Sequence, residues 1–274
     1  MPSTPPVALT IAGLDPSGGA GVTADLKTFA AHGLYGICCV TALTVQSTQG
    51  VRRTVPVDAT IIRETLDCLA DDIPPAGIKI GMLGTAAAVH AAADFLERAN
   101  YPTENVVLDP IVRSSSGAAL LDDEGVNSLR SRLLTRVGWI TPNIHELAFL
   151  LEEPVVAADE LPAQAQRLQK LAAATGNPHL RVVVTGGHLA EPDDFFFDLN
   201  GESGWIRGKW VKTWATHGTG CAFSSALLCQ HLLQGPQSSC NSKMTAAKAY
   251  VTAALEHAYP IGHGKGPMNH HYKL

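Results

Sequence analysis

Val7-Ala8-Leu9-Thr10-Ile11-Ala12 runs into Gly13-Leu14-Asp15-Pro16-Ser17-Gly18-Gly19-Ala20-Gly21, and Val22-Thr23-Ala24-Asp25-Leu26-Lys27-Thr28-Phe29 follows without a break. The first run is short and nearly all apolar, which suits a strand covered on both faces. The middle is a glycine-dense turn that lets backbone approach a small planar ligand. The last part has the length and spacing of a helix. Strand, turn and helix in that order open an α/β fold.

The alternation persists along the chain. Short apolar runs predict strands at Val7–Ala12, Ile37–Leu43, Gly77–Met82, Asn105–Asp109, Gly138–Thr141 and Arg181–Thr185. Amphipathic stretches predict helices at Gly21–Ala31, Ala59–Asp71, Ala86–Asn100, Asp123–Leu134, Leu161–Thr175, Thr219–Leu233 and Ser242–His257. The expected architecture is a mostly parallel central sheet with helices on both faces. Phe195-Phe196-Phe197-Asp198-Leu199, then Asn200-Gly201, then Trp205-Ile206 predicts a short antiparallel hairpin on the sheet edge. Gly and Pro are spread through all 274 residues and form no linker, so a single domain over residues 1–274 is expected.

Composition narrows the function. Hydrophobic residues make up 46% and charged residues 16%, the balance of a globular enzyme. A formal net charge of −5 disfavours nucleic acid as a partner. No apolar stretch approaches the ~20 residues of a membrane span and Met1–Thr10 lacks a basic leader, so a cytoplasmic location without membrane contact is expected. The six cysteines, at 38, 39, 68, 221, 229 and 240, include no Cys-x-x-Cys pair and read as reduced. His270 and His271 near the terminus have no carboxylate or thiol at ligand spacing, and no structural metal is assigned to them.

In an open α/β sheet, ligands gather beyond the carboxyl ends of the strands. Gly13, Asp15, Gln46, Met82, Asp109, Asn143 and Thr185-Gly186-Gly187 stand at such ends. Neither common nucleotide fingerprint is present: Gly18 is followed by Gly19 where a P-loop needs lysine, and Gly218-Thr219-Gly220 lacks a third glycine. Thr216-His217-Gly218-Thr219-Gly220-Cys221 instead opens a helix with its unpaired N–H groups and positive dipole end aimed at an anion. The dipole predicts that the Cys221 thiol sits modestly below ~8.5 and alkylates faster than the other five cysteines. Taken alone, the segment fits equally a Gly-rich helix start with a small buried cysteine.

Five blocks give a more specific reading. Ala12–Phe29, Ala42-Leu43-Thr44-Val45-Gln46-Ser47-Thr48, Lys79-Ile80-Gly81-Met82-Leu83-Gly84, Val107-Leu108-Asp109-Pro110-Ile111-Val112-Arg113-Ser114-Ser115-Ser116-Gly117 and Gly218-Thr219-Gly220-Cys221 occur in this order. Thr141-Pro142-Asn143-Ile144-His145-Glu146 and Gly262-His263-Gly264-Lys265-Gly266-Pro267 extend the series, which spans nearly the whole chain. The series resembles the hydroxymethylpyrimidine/phosphomethylpyrimidine kinases of thiamine biosynthesis, within the ribokinase-like superfamily of three-layer sandwiches. The resemblance implies ATP and Mg²⁺ as cofactors and a homodimer. It implies phosphorylation of 4-amino-5-hydroxymethyl-2-methylpyrimidine and of its monophosphate, with a pyridoxal or pyridoxine kinase as the alternative within the superfamily. A catalytically silent binding protein on the same fold is the alternative from another class.

The resemblance also implies roles residue by residue. Gly13, Ala20, Gln46 and Met82 would form the pyrimidine pocket, where a carboxamide can read a ring nitrogen and an exocyclic amine together. On residue type alone, Gln46 fits a solvent-facing loop and Met82 a core position. Asp109 and Glu146 would hold Mg²⁺, although each also fits a structural part, a strand-end cap and a first-turn glutamate. Asn143, Thr185 and Gly187 would lie on the nucleotide side, and Cys221 with Gly218, Thr219 and Gly220 would carry the catalysis. Thr185 departs from the lysine that the family often has there, which removes a candidate phosphate contact.

Overall fold

The computed structural model describes residues 4–113, 117 and 119–273; Ser114, Ser115 and Ser116 of the fourth block lie outside them. The elements in chain order are β1 (Val7–Leu14), α1 (Gly21–Ala31), β2 (Tyr35–Ser47), β3 (Gly50–Pro56), α2 (Ala59–Asp72), β4 (Gly77–Ile80), α3 (Ala86–Arg98), β5 (Val106–Leu108) and α4 (Asp123–Ser128). They continue as β6 (Trp139–Ile140), α5 (Ile144–Leu151), α6 (Leu161–Ala174), β7 (Arg181–Val184), β8 (Asp194–Phe197), β9 (Ser203–Ile206), α7 (Thr219–Gln234) and α8 (Cys240–Glu256). All strands join one sheet in the order β3-β2-β1-β4-β5-β6-β7-β8-β9. The run from β2 to β7 is parallel, and β3 at one end and β8–β9 at the other are antiparallel additions.

Alternation along each strand explains the two covered faces. Leu9, Ile11, Ile78, Ile80, Val106, Leu108, Val182 and Val184 pack into one core with α2, α3 and α6. Their neighbours Ala8, Val107 and Val183 point the other way, into a second core with Trp139, Phe223, Leu227 and Tyr250 from β6, α7 and α8. Both faces are apolar because successive side chains alternate between two buried layers. Lys79 breaks this pattern, being fully buried between Ile78 and Ile80.

Several boundaries differ from the sequence reading. The predicted strand at Ile37–Leu43 is the centre of a longer β2 that hairpins into β3, pairing Leu43 with Val55 and Thr44 with Thr54. The predicted helix at Asp123–Leu134 is α-helical only to Ser128, then widens to a π-turn over Leu129–Leu133 and tightens to a 3₁₀ turn over Leu134–Arg136. That irregular path lets Leu129, Leu133 and Leu134 all reach the core. The edge hairpin is present, but Phe197 pairs with Ser203, so five residues join its strands instead of Asn200-Gly201 alone. Among the described residues, no helix is long and apolar enough to cross a membrane.

Candidate active site

A cavity of about 860 Å³ opens at the carboxyl ends of the parallel strands. It gathers all the candidates: Gly13, Ala20, Gln46, Met82, Asp109, Asn143, Glu146, Thr185, Gly187, Gly218, Thr219, Gly220 and Cys221 line it.

Local chemistry explains how each part reaches the cavity. Asp15 folds the first turn over itself, accepting hydrogen bonds from Ser17 N–H (2.8 Å), Ser17 Oγ (2.7 Å) and Ala20 N–H (2.9 Å). Burial opposes ionisation of Asp15, yet hydrogen bonds from His217 and Ser17 outweigh it and hold the carboxyl below its ordinary value. At Gly21, φ is +57° and a Cβ would lie 2.2 Å from the Gly13 carbonyl oxygen, so only glycine fits. Gly13 leaves room for the Met82 sulfur, which would be 2.9 Å from a Cβ there.

Gln46 is not an isolated loop amide. His217 Nε2 lies 2.7 Å from Asp15 Oδ2 and 3.1 Å from the Gln46 amide nitrogen. The ionised Asp15 accepts a hydrogen bond from His217 Nε2–H, and Thr44 Oγ1 donates to the Leu14 carbonyl at 2.9 Å. Proton counting is satisfied when the Gln46 amide turns, its oxygen facing His217 and its NH₂ donating to Thr44 Oγ1, 3.1 Å from the amide's other end. His217 therefore ties the pocket amide to the loop that opens α7. In the sequence, His217 stands only as one member of the Thr216–Cys221 block, with no local signal for this tie.

The start of α7 opens onto the cavity through a glycine turn. Gly218 has φ +80°, and a Cβ there would sit 1.8 Å from the Gly19 carbonyl oxygen. The Gly218 carbonyl accepts the first helical bond from Ala222, leaving the N–H groups of Thr219, Gly220 and Cys221 without a helical acceptor. A Cβ on Gly220 would meet nothing within 4 Å and would instead occupy cavity space. Asn143 caps α5 by accepting from the N–H groups of His145 and Glu146 at 2.9 and 3.0 Å. Glu146 returns a carboxylate oxygen to the Asn143 N–H at 2.8 Å, so its cap role and its place in the cavity coexist. Thr185 bridges to Asn143 in parallel at the next strand end.

Asp109 and Glu146 are both buried. Burial raises the pKa of each, and the negative charge of Asp109 raises Glu146 further. Two buried, mutually repelling carboxylates suit a cation, and among the described residues no group of three His, Cys, Asp or Glu could form a protein cage. Such a pair fits Mg²⁺, which keeps several of its waters.

The Cys221 thiolate expectation is overturned. Cys221 is only 7% exposed, and burial pushes its thiol up to about 12. The Lys79 ammonium opposes the rise, while Asp109 and Asp25 add to it. A helix end supplies ~0.3–1 kcal/mol, too little against this desolvation.

Beneath the cavity floor lies a polar core that the sequence reading missed. Lys79 Nζ is 3.0 Å from Asp25 Oδ2 and 3.8 Å from Asp109 Oδ2. Asp25 also accepts from Thr10 Oγ1 (2.6 Å) and Ser225 Oγ (2.7 Å), and Ser224 Oγ donates to Asp109 Oδ2 (3.2 Å). The available signals were a lysine inside an apolar strand and an aspartate on the inner face of α1.

Backbone anion donors at the end of a parallel sheet, with an acidic pair beside them and a small polar-edged pocket adjoining, mark the class of ribokinase-like kinases. The chain belongs to the phosphomethylpyrimidine kinase family, whose model matches residues 15–269. It is 40% identical over 268 residues to the hydroxymethylpyrimidine/phosphomethylpyrimidine kinase of Escherichia coli strain K12, covering 96% of each chain. It is 37% identical over 264 residues to a bifunctional thiamine biosynthesis protein of Geobacter sulfurreducens, covering 96% of this chain and 51% of that one. Among solved structures, a Bacillus subtilis pyridoxal kinase in complex with ADP superposes with a TM-score of 0.81 at 30% identity, covering 97% of this chain and 98% of that one.

Proposed function

We propose that this protein transfers the γ-phosphoryl group of ATP to the hydroxymethyl group of 4-amino-5-hydroxymethyl-2-methylpyrimidine, and then to the resulting monophosphate, in thiamine diphosphate synthesis. The observation that carries this reading is the single cavity joining the Gln46 pocket to the start of α7. In it, Gln46 reads the polar edge of the ring while Met82 and Gly13 bound its face. The N–H groups of Thr219, Gly220 and Cys221 hold the charge of the transferring phosphoryl group, the main contribution to rate in a loose transition state. Asn143, Thr185 and Gly187 line the nucleotide side. Asp109 and Glu146 would hold Mg²⁺, which supplies neutralisation of the nucleotide phosphates when bound.

Cys221 is the proton acceptor for the alcohol, and it acts late. A thiol at about 12 gives thiolate at pH 7 only at a cost of roughly 7 kcal/mol, so the proton moves after the new P–O bond has made the alcohol oxygen acidic. A cytoplasmic location and a homodimer belong to the same proposal. The outer face of the β2–β3 hairpin, where Leu43, Val45 and Val55 are exposed, supports the second copy.

An ATP-consumption assay with the hydroxymethylpyrimidine, its monophosphate, pyridoxal and pyridoxine tests the reading. Turnover of both pyrimidines with kcat/KM well above that of the pyridines is expected. Preference for a pyridine would make the protein a pyridoxal kinase, and no turnover of any acceptor would make it a silent binding protein.

A further inference from the structure

The segment 262–267 crosses the cavity mouth between two fixed points. On one side Gly264 N–H donates to Thr48 Oγ1 at 3.3 Å. Its backbone lies so close to the β2–β3 turn that a Cβ on Gly264 would be 2.0 Å from the Thr48 carbonyl oxygen, and one on Gly262 would be 2.2 Å from Thr48 Oγ1. On the other side His217 N–H donates to the Gly266 carbonyl at 3.1 Å, and His217 pairs with Pro267 in a parallel bridge. Lys265 is the residue between these ties. It stands between the strand that carries Gln46 and the loop that carries Gly218, and it lines the cavity.

Lys265 differs from the other cavity lysines. Lys209 is held by Glu256 and Lys248 by Asp194, whereas among the described residues Lys265 has no carboxylate within 4.0 Å. Its positive charge reaches His188, which also lines the cavity and stacks edge-on against His145 at 5.0 Å. The floor also carries the acidic Asp15, Asp109, Glu146 and Asp194, while the basic Arg113 lies with its guanidinium over the Phe149 ring, 5.6 Å from the centroid. That floor tolerates a neutral alcohol but repels an acceptor that already carries a phosphate, unless a cation stands on the acceptor's side.

We propose that Lys265 is the specificity residue for the second phosphorylation, pairing with the phosphate of the monophosphate acceptor. The inference rests on the function proposed above. In that second step an oxygen of the acceptor phosphate forms the new P–O bond to the γ-phosphorus while the bond to the leaving ADP oxygen breaks. The attacking oxygen is already ionised, so no proton is removed from it and charge placement is the requirement that remains.

Steady-state kinetics with both acceptors tests this. Lys265→Met should raise KM for the monophosphate roughly 10- to 100-fold relative to its effect on KM for the alcohol, the size of a charge-assisted contact. Lys265→Arg should restore the ratio, and Lys265→Glu should worsen it. Calorimetric titration of the monophosphate into nucleotide-free protein should show the same loss, with affinity in the parent falling as salt rises. An unchanged acceptor ratio would overturn the proposal, as would a KM for ATP that rises equally with either acceptor, which would assign Lys265 to the nucleotide. A parent enzyme that turns over neither pyrimidine refutes the proposed function itself, a different outcome from an active parent whose acceptor ratio ignores position 265.

Discussion

A helix dipole offers the Cys221 thiolate ~1 kcal/mol at most, while full burial beside Asp109 and Asp25 costs several times that, and burial prevails. The thiol therefore stays protonated at neutral pH. In native protein at pH 8, iodoacetamide should label the exposed Cys68 first and reach Cys221 only after unfolding; mass spectrometry of the labelled peptides reads the order, and early labelling of Cys221 would contradict its burial. The sign of the linkage follows from the raised value. The folded state keeps a proton that the unfolded chain releases, so the stability this group contributes is whole below the unfolded pKa and is lost as pH rises toward about 12. On the proposed role of Cys221 as acceptor of the alcohol proton, Cys221→Ala should lower kcat ~10²-fold or more with ADP affinity kept, and Cys221→Asp should recover part of it. A loss under tenfold would leave the backbone donors as the catalytic device. Residue type and position were enough to nominate Cys221, but not its protonation state, because the burial that sets it, and the charges of α1, β4 and the end of β5 that modify it, come from distant parts of the chain.

Elements with local signals were legible. Thr85 caps α3 and Asp58 caps α2, each by accepting a backbone N–H of the first turn, and these marks stand in the chain itself. The β2–β3 hairpin was missed because its alternation is inverted: the apolar Leu43, Val45 and Val55 are solvent-exposed while the other face carries the polar Thr44 and Gln46, so the pattern does not mark a face packed on the core. The Asn143–Glu146 capping box marked the start of α5 without giving its extent, eight residues being too short for periodicity to register. For α7 the decisive feature is steric. Gly218→Ala forces a side chain into φ +80° at about 1–2 kcal/mol and against the Gly19 carbonyl besides. The variant should melt lower in calorimetry and bind ADP at least tenfold more weakly, because the first turn of α7 must move. Native ADP affinity in a folded Gly218→Ala protein would show that these N–H groups do not meet phosphate.

Across the whole molecule, the buried Asp25–Lys79–Asp109 chain joins α1, β4 and the end of β5 beneath the cavity. A Cβ at Gly81 would lie 2.7 Å from Lys79 Nζ, so the strand end is shaped around the ammonium. Lys79→Met strands two carboxylates in the core and should cost about 3–5 kcal/mol in urea unfolding, with the Asp25→Asn/Lys79→Met pair regaining part of the loss. A single-variant cost under about 1 kcal/mol would mean that water reaches the site and screens the charges. The sequence by itself determined the layered fold, the alternation of the parallel strands with most of their helices and the strand-end residues, because period-two and period-3.6 patterns, caps and glycine turns are written in neighbouring residues. Tertiary structure alone decided which distant groups meet: His217 with Asp15 and Gln46, Lys79 with Asp25, Lys265 between Thr48 and His217. His217 and Asp15 are 202 positions apart and the Gly264–Thr48 bond beside Lys265 spans 216, and the charges act through space across a low-dielectric interior, so no local pattern in the chain encodes them.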